Sequence, residues 1–267
     1  MHLLGIAATG VRGQQTAMDI LGNNIANVNT IGFKAKHLSF AETLDQEVPS
    51  LKTRVQPGEY GYGVGSMKIG VGVLSNATGT DFHQGSVKLT DRPFDLVIEG
   101  AGFFQIRTQN GEIAYTRAGA LNVDTEGWVT DPEGNYLVTD AWIPGYVNDV
   151  AVTKNGDIIG TVDGENVVFG QIFLAAFQNA EGLRNIGSNL FAATENSGEP
   201  WLGLPGSAVG SPEQVLGNLR SGALEMSNVS LAQEMTDMIQ IQRAYQLNSR
   251  MITNGDQMWG IANTIRR

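Results

Sequence analysis

Apolar residues seven positions apart run down the C-terminal end of this chain: Leu224, Leu231, Met238, Tyr245, Ile252 and Trp259. A second file of Met251, Met258 and Ile265 widens the same face. Period-seven apolarity on a helix makes a seam that keeps facing one partner. The first residues carry a matching seam at Leu4, Val11, Met18 and Ile25, with Ala7, Gln14 and Leu21 between. Two seam-bearing helices at opposite ends of one chain imply that the termini meet and bury each other. In an ordinary soluble bundle such seams are intramolecular core. Seams at both ends of one chain nonetheless point toward assembly rather than catalysis.

Charged residues make up only 16% of the 267 positions, while 42% are hydrophobic. An ordinary soluble domain carries roughly 25% charged residues, so partners are expected to cover part of the surface. The formal charge of −10 and the lack of a basic stripe argue against nucleic acid. With no cysteine, disulfides, thiolate zinc sites and cysteine nucleophiles are excluded. The N-terminus MHLLGIAATG lacks the features of a cleaved secretory signal. The apolar stretch near 167–177 is too short to cross a bilayer, so no membrane insertion is expected.

Residues 3–27 read as helix, ending in an asparagine-rich run with Asn23, Asn24, Asn27 and Asn29. Asparagine competes for backbone hydrogen bonds and tolerates left-handed conformations. Gly32 then permits a bend, and Phe33 anchors the segment after it. Residues 34–48 read as a short helix or an extended arm, and 66–74 as a strand. Between 81 and 190, short apolar runs alternate with turn signals at Asn110-Gly111, Glu126-Gly127, Glu133-Gly134, Asn155-Gly156 and Asp163-Gly164. Such dipeptides favour two-residue hairpin turns. The strands expected are 94–98, 103–107, 113–116, 120–123, 147–153, 157–162 and 167–177. A long helix from about 227 to 264 closes the chain. The fold class expected is α+β, mainly β: an antiparallel β domain at 81–190, terminal helices at 1–34 and 224–267 pairing along a coiled-coil-like seam, and extended linker arms at 35–80 and 191–223.

Three stretches carry a resemblance. Residues 19–34, DILGNNIANVNTIGFK, look like the N-terminal signature of the bacterial flagellar rod and hook axial proteins. Residues 94–117, with a Gly-x-Gly-Phe-Phe hairpin, resemble that family's central β domain, and 227–248 its C-terminal helix signature. Position 31 is isoleucine where many members have proline. Length and a single β domain are most similar to the distal rod type, with proximal rod types next and hook types, which carry additional outer domains, further off. The resemblance implies a structural, non-enzymatic subunit that polymerises into a hollow helical tube and transmits torque from motor to hook. It implies export by the flagellar type III route and residence in the basal body. The partners implied are other copies of itself and other rod and hook subunits, with bushing-ring, rod-cap and export-apparatus proteins as further candidates. The terminal segments are expected to be disordered or only partly helical in the free monomer, folding on assembly.

The alternative from another class is a flagellum-associated cell-wall hydrolase, which needs a placed acid and base in a cleft. No such constellation, and no cofactor or metal site, is read in the chain. Asp95, Glu99 and Glu112 read as carboxylates that keep strand edges soluble. His2, His37 and His83 are too scattered for a metal. The Gly61, Gly63, Gly65 stretch lacks the following helix that a phosphate loop requires.

Overall fold

The computed structural model describes residues 2–43, 46–48, 67–70, 72–145, 147–162, 165–209 and 215–265. The Gly61–Gly65 stretch and the Asp163-Gly164 turn lie outside them. The chain divides into two compact units. Unit 1 comprises Met1–Asn23, Lys36–Gly79 and Ala232–Arg267, and unit 2 comprises Asn24–Ala35 and Thr80–Leu231.

In unit 1, α1 spans His2–Ala26 and α2 spans Leu231–Ile265. Neither contains proline, so no backbone donor is lost inside them. Four strands belong here: β1 (Lys36–Glu42) pairs with β4 (Val73–Thr80), and β2 (Gln46–Val48) with β3 (Met67–Ile69). Residues 36–42 are therefore extended rather than helical. The inner face of α1 is made of small residues, Ala7, Gly13 and Ala17. A methyl group added at Gly13 would come within 3.1 Å of the Phe40 ring, and one at Gly10 within 2.7 Å of Asn248 on α2. Backbone can approach that closely only where side chains are absent or nearly so.

Unit 2 holds the β region. Its strands are β5 (Val87–Leu89), β6 (Leu96–Glu99), β7 (Phe103–Arg107), β8 (Ile113–Thr116), β9 (Asn122–Val123), β10 (Val129–Thr130), β11 (Tyr136–Leu137), β12 (Asn148–Val152), β13 (Asp157–Val162), β14 (Glu165–Gln171), β15 (Leu174–Ala176), β16 (Arg184–Gly187), β17 (Leu190–Ala192), β18 (Trp201–Gly203), β19 (Asn218–Ser221) and β20 (Ala223–Glu225). The main antiparallel sheet runs β16-β17-β8-β7-β11-β10-β9, with β15 bridging β7 and β18. A second sheet runs β12-β13-β14, and β6 pairs with β19 and β5 with β20. These strands pair antiparallel. Where neighbours are joined by short hairpins, as β7 to β8 and β13 to β14, the connection is too short for a parallel crossover.

Side chains alternate across these strands, and one set forms the core. Phe104, Ile106, Leu96, Leu121, Ile158, Ile172, Leu174 and Leu219 are essentially inaccessible. A second cluster stacks Phe103, Tyr115, Phe177 and Phe191 edge to face, with Phe82 against it.

Three local readings differ from the sequence expectation. The run at 167–177 is two strands in two sheets, β14 and β15. Ile172 is fully buried between them and its N–H donates to the Gly156 carbonyl, so the chain crosses over rather than continuing. Residues 191–223 hold β18 and β19, with Leu216 and Leu219 in the core, where an extended arm was expected. Leu224, expected to head the helical seam, lies buried on β20. The hairpin turns also differ. At Thr108, Asp124, Asp131 and Thr153 the residue's carbonyl accepts from a glycine three positions on, and its N–H donates to the carbonyl four on. Those glycines sit at φ of +82 to +90°, which makes each loop a turn followed by a left-handed bulge position rather than a two-residue turn.

Phe104→Ala should cost unit 2 about 3–5 kcal/mol in urea unfolding. Ile113→Ala, at a side chain 46% exposed on the next strand, should stay within about 0.5 kcal/mol.

Candidate functional site

The helices of unit 1 lie antiparallel. Gly10 faces Asn248, and one groove of about 310 Å³ is lined by Ala17, Ile20 and Leu21 of α1, Asp237, Gln240 and Ile241 of α2, and Leu38 and Phe40 of β1. Carrying that register along places His2 opposite Asp256. Among the described residues, 257–265 therefore run past the first turn of α1 with no helical residue opposite them. This accounts for Trp259, which continues the line of Tyr245 and Ile252 yet is 55% exposed. It accounts equally for Ile265, at 80%.

The sequence-derived stripe residues separate accordingly. Met238, Tyr245 and Ile252 are half-buried, as are Leu4, Val11, Met18, Leu21 and Ile25 on the first helix. Leu231, Met251, Met258, Trp259 and Ile265 are exposed. The exposed set is larger than the heptad reading supplied, because Met235, Ile239, Leu247 and Ile261 belong to it. At 100° per residue, Leu247, Met251, Met258, Ile261 and Ile265 fall on one side of α2, away from the half-buried line. The i, i+4 step from Leu247 to Met251 was the available signal for this stripe.

The signature turn is built differently, from polar groups inside unit 2. Asn24 is buried. Asn27 and Thr30 continue the turn, each N–H reaching a carbonyl three residues back, and Thr30 Oγ1 bonds the Asn27 side chain. Asn29 is exposed. Asn23 lies in the last turn of α1 and is the last residue of the first segment of unit 1. Gly32 has φ of +67° and sits so close to Ala118 that a Cβ would lie 2.6 Å from its backbone nitrogen. Both facts call for glycine there. Phe33 is buried beside it.

Lys34, next in the chain, is 2% exposed, and Glu225 of β20 is 0% exposed. The Lys34 ammonium donates to Glu225 Oε1 at 2.6 Å and to the His83 carbonyl at 2.6 Å. Glu225 Oε1 also accepts the Gly85 N–H at 2.9 Å, and its backbone carbonyl accepts the Gly32 N–H at 2.8 Å. The Arg117 guanidinium lies 3.8 Å from Glu225 Oε2, over the Phe103 ring. Burial pushes the Lys34 pKa below its usual value, with the Glu225 carboxylate acting the other way. One residue on, the Ala35 N–H donates to the Asn228 side-chain oxygen at 2.7 Å, and the Asn228 amide donates to the Asp81 carbonyl at 2.9 Å. Two segments from opposite ends of the chain are thus locked together on the β region. Lys34, Arg117, Glu225 and Asn228 were not singled out from sequence as a site. A charge set directly after Gly32-Phe33, and another directly after Ala223-Leu224, were the signals. Asp95, read as an edge carboxylate, is buried at 2% and lies 3.9 Å from Arg92.

Among the described residues, no group of three metal-ligating side chains occurs, and no helix is long and apolar enough to cross a membrane. Lys34→Met, which strands the Glu225 carboxylate, should cost unit 2 about 3–5 kcal/mol in urea unfolding. Adding Glu225→Leu should recover a large part of that loss.

Family comparisons converge on these same segments. Residues 4–34 match the flagella basal body rod protein family, 97–160 the flagellar hook protein FlgE/F/G D1 domain, and 220–265 the flagellar basal body rod FlgEFG protein C-terminal family. The flagellar basal-body rod protein FlgG of Borreliella burgdorferi is 37% identical, covering 100% of this chain and 99% of its own. That of Agrobacterium fabrum is 34% identical over 98% of each. The flagellar hook-basal body complex protein FlhP of Bacillus subtilis is 32% identical over 97% of each. Joined by a buried clamp and ending in exposed apolar stripes, the chain belongs to the bacterial flagellar basal-body rod FlgE/F/G family and is a structural subunit of the basal-body rod, assembling with other rod and hook components.

Proposed function

We propose that this chain is a distal-rod subunit that polymerises through its terminal helices into a hollow helical tube carrying torque from motor to hook, without catalysing a reaction. The observation that carries the reading is the α2 overhang, where Met258, Trp259, Ile261 and Ile265 are exposed beyond the end of α1. Large apolar side chains in such a row are normal only where a partner covers them. Leu4, Val11, Met18, Leu21, Ile25, Leu231, Met238, Tyr245, Met251 and Ile252 supply the remainder of the assembly surface. The turn at Asn23, Asn24, Asn27, Asn29, Gly32 and Phe33 carries the chain from the first helix into the β region.

Burying a large apolar side chain contributes roughly 1.5–3 kcal/mol. Met258→Asp with Ile265→Asp should therefore remove roughly 3–6 kcal/mol from each contact and raise the critical concentration for tube formation at least ~100-fold. Electron microscopy of the purified protein should show tubes for the parent chain and none for the double variant or a chain lacking residues 1–30. Tubes formed by the double variant at the parent's concentration would sink the reading. Amide exchange should be fast at 257–265 in the free subunit and slow in the polymer, because helix ends without packing are marginal in water. Equal protection in both states would show that the overhang is not an assembly contact.

A further inference from the structure

The solvent face of the main sheet carries a feature that assembly through the terminal helices does not use. Tyr136 on β11 pairs directly with Arg107 on β7, and Thr130 on β10 with Tyr136. Because side chains alternate across a strand, this register sets Arg107, Tyr136 and Trp128 on one face. Their neighbours Ile106, Leu137 and Val129 point into the core. Trp128 and Tyr136 are each 41% exposed. Together with Glu126 and Asp140 they line a cleft of about 390 Å³, within the range of small-ligand pockets, roughly 300–1,000 Å³. The floor is rigid. Trp128 and Tyr136 flank the Asp131 turn, where Asp131 Oδ1 accepts the N–H groups of Glu133 and Asn135. At the far side, Trp142 donates its indole N–H to the Glu126 carbonyl at 2.8 Å, fixing the neighbouring turn.

We propose that this cleft is a binding site for a β-linked oligosaccharide of pyranose rings with equatorial hydroxyls. Its extended chain can lay successive rings over two neighbouring platforms, as a coiled α-linked chain does not. Such a ring has a flat face of C–H groups that stacks on an aromatic side chain, while its rim presents hydroxyls that both donate and accept. The cleft offers both halves of that match. Trp128 and Tyr136 are the platforms. Arg107 supplies donors, and Glu126 and Asp140 supply acceptors. Among the described residues, none of these three charged side chains has a hydrogen-bond or ion-pair partner within the protein. A guanidinium and two free carboxylates in one cleft suit an uncharged ligand bearing many hydroxyls better than an acidic or basic peptide, which one sign or the other would repel.

The test uses the full chain in its soluble form, with cellotetraose and the tetramer of N-acetylglucosamine as probes and α-linked maltotetraose for comparison. Binding is followed by calorimetry and by ¹H–¹⁵N spectra. Saturable binding of at least one β-linked probe is expected, tighter than maltotetraose, with shifts at the Trp128 indole and the β10–β11 amides. Trp128→Ala and Tyr136→Ala should each weaken it at least tenfold, and Asp140→Asn severalfold, with circular dichroism unchanged. Absence of saturable binding to either β-linked probe overturns the proposal. So does binding that survives both aromatic substitutions, or shifts confined to another surface. If neither sugar binds and Trp128→Ala abolishes a concentration-dependent self-association, the face is a subunit contact and the sugar assignment fails.

Discussion

An ammonium and a carboxylate held 2.6 Å apart in a dry interior are the joint on which the β unit closes. Lys34 and Glu225 are separated by 191 residues, and burying either charge is costly unless an opposite charge meets it. A buried ion pair of this kind is weak evidence for stability, since apolar replacements of similar volume can do as well. What it supplies is a penalty for every wrong pairing. If the C-terminal segment slipped along β5, the Glu225 carboxylate would leave Lys34, Gly85 and Arg117 together, and each would lose a contact at once. The register of β20, which places Glu225 opposite Val87, is thereby tied to the position of the N-terminal signature. Asn228 adds a second lock, spending both ends of its amide on backbone groups of the other segments.

Unit 1 is built on an opposite plan. In a self-sufficient helical hairpin the large apolar side chains face inward and small or polar ones face water. Here the inward positions of α1 are Ala7, Gly10, Gly13 and Ala17, while on α2 Leu247, Met251, Met258 and Ile261 face out. Small residues permit close backbone approach but bury little area, so they add little to the stability of an isolated pair. The burial available to the exposed residues lies outside the subunit. The proposed order of events, in which the terminal segments gain most of their stability on assembly, rests on this distribution.

The two helices, the antiparallel β region and most strand positions were legible because each depends on local periodicity, and β7, β8 and β13 fall where alternation places them. Turn chemistry was legible in location but not in type, since Asn-Gly marks a bend while the bulge depends on the residue three positions earlier. The break at Ile172 was invisible, because an apolar run reads the same whether it continues in one sheet or crosses to another. The same limit hid β19 among prolines and glycines. On the candidate site, period seven found Met258, Trp259 and Ile265 but not Leu247 or Ile261, which belong to the 3.6-residue period of a straight helix rather than to the 3.5-residue period of a supercoil. The clamp was missed for a different reason. Burial of Lys34 and Glu225 is a property of two distant segments meeting, and no window of sequence contains it.

The mismatch between the helices bears on what kind of polymer is possible. α1 has 25 residues and α2 has 35, and the antiparallel register puts the excess at one end. The overhang carrying Trp259 and Ile265 and the groove between Leu21 and Ile241 are therefore different patches of one unit. A self-complementary patch would pair two copies about a dyad and stop there. Two unlike patches joined head to tail leave a free overhang and a free groove after every addition, and growth ends only if the rotation per step closes a ring. On the proposed reading, an apolar helix end projecting past its partner is what makes the subunit additive: each copy arrives with one surface to fill and one to offer.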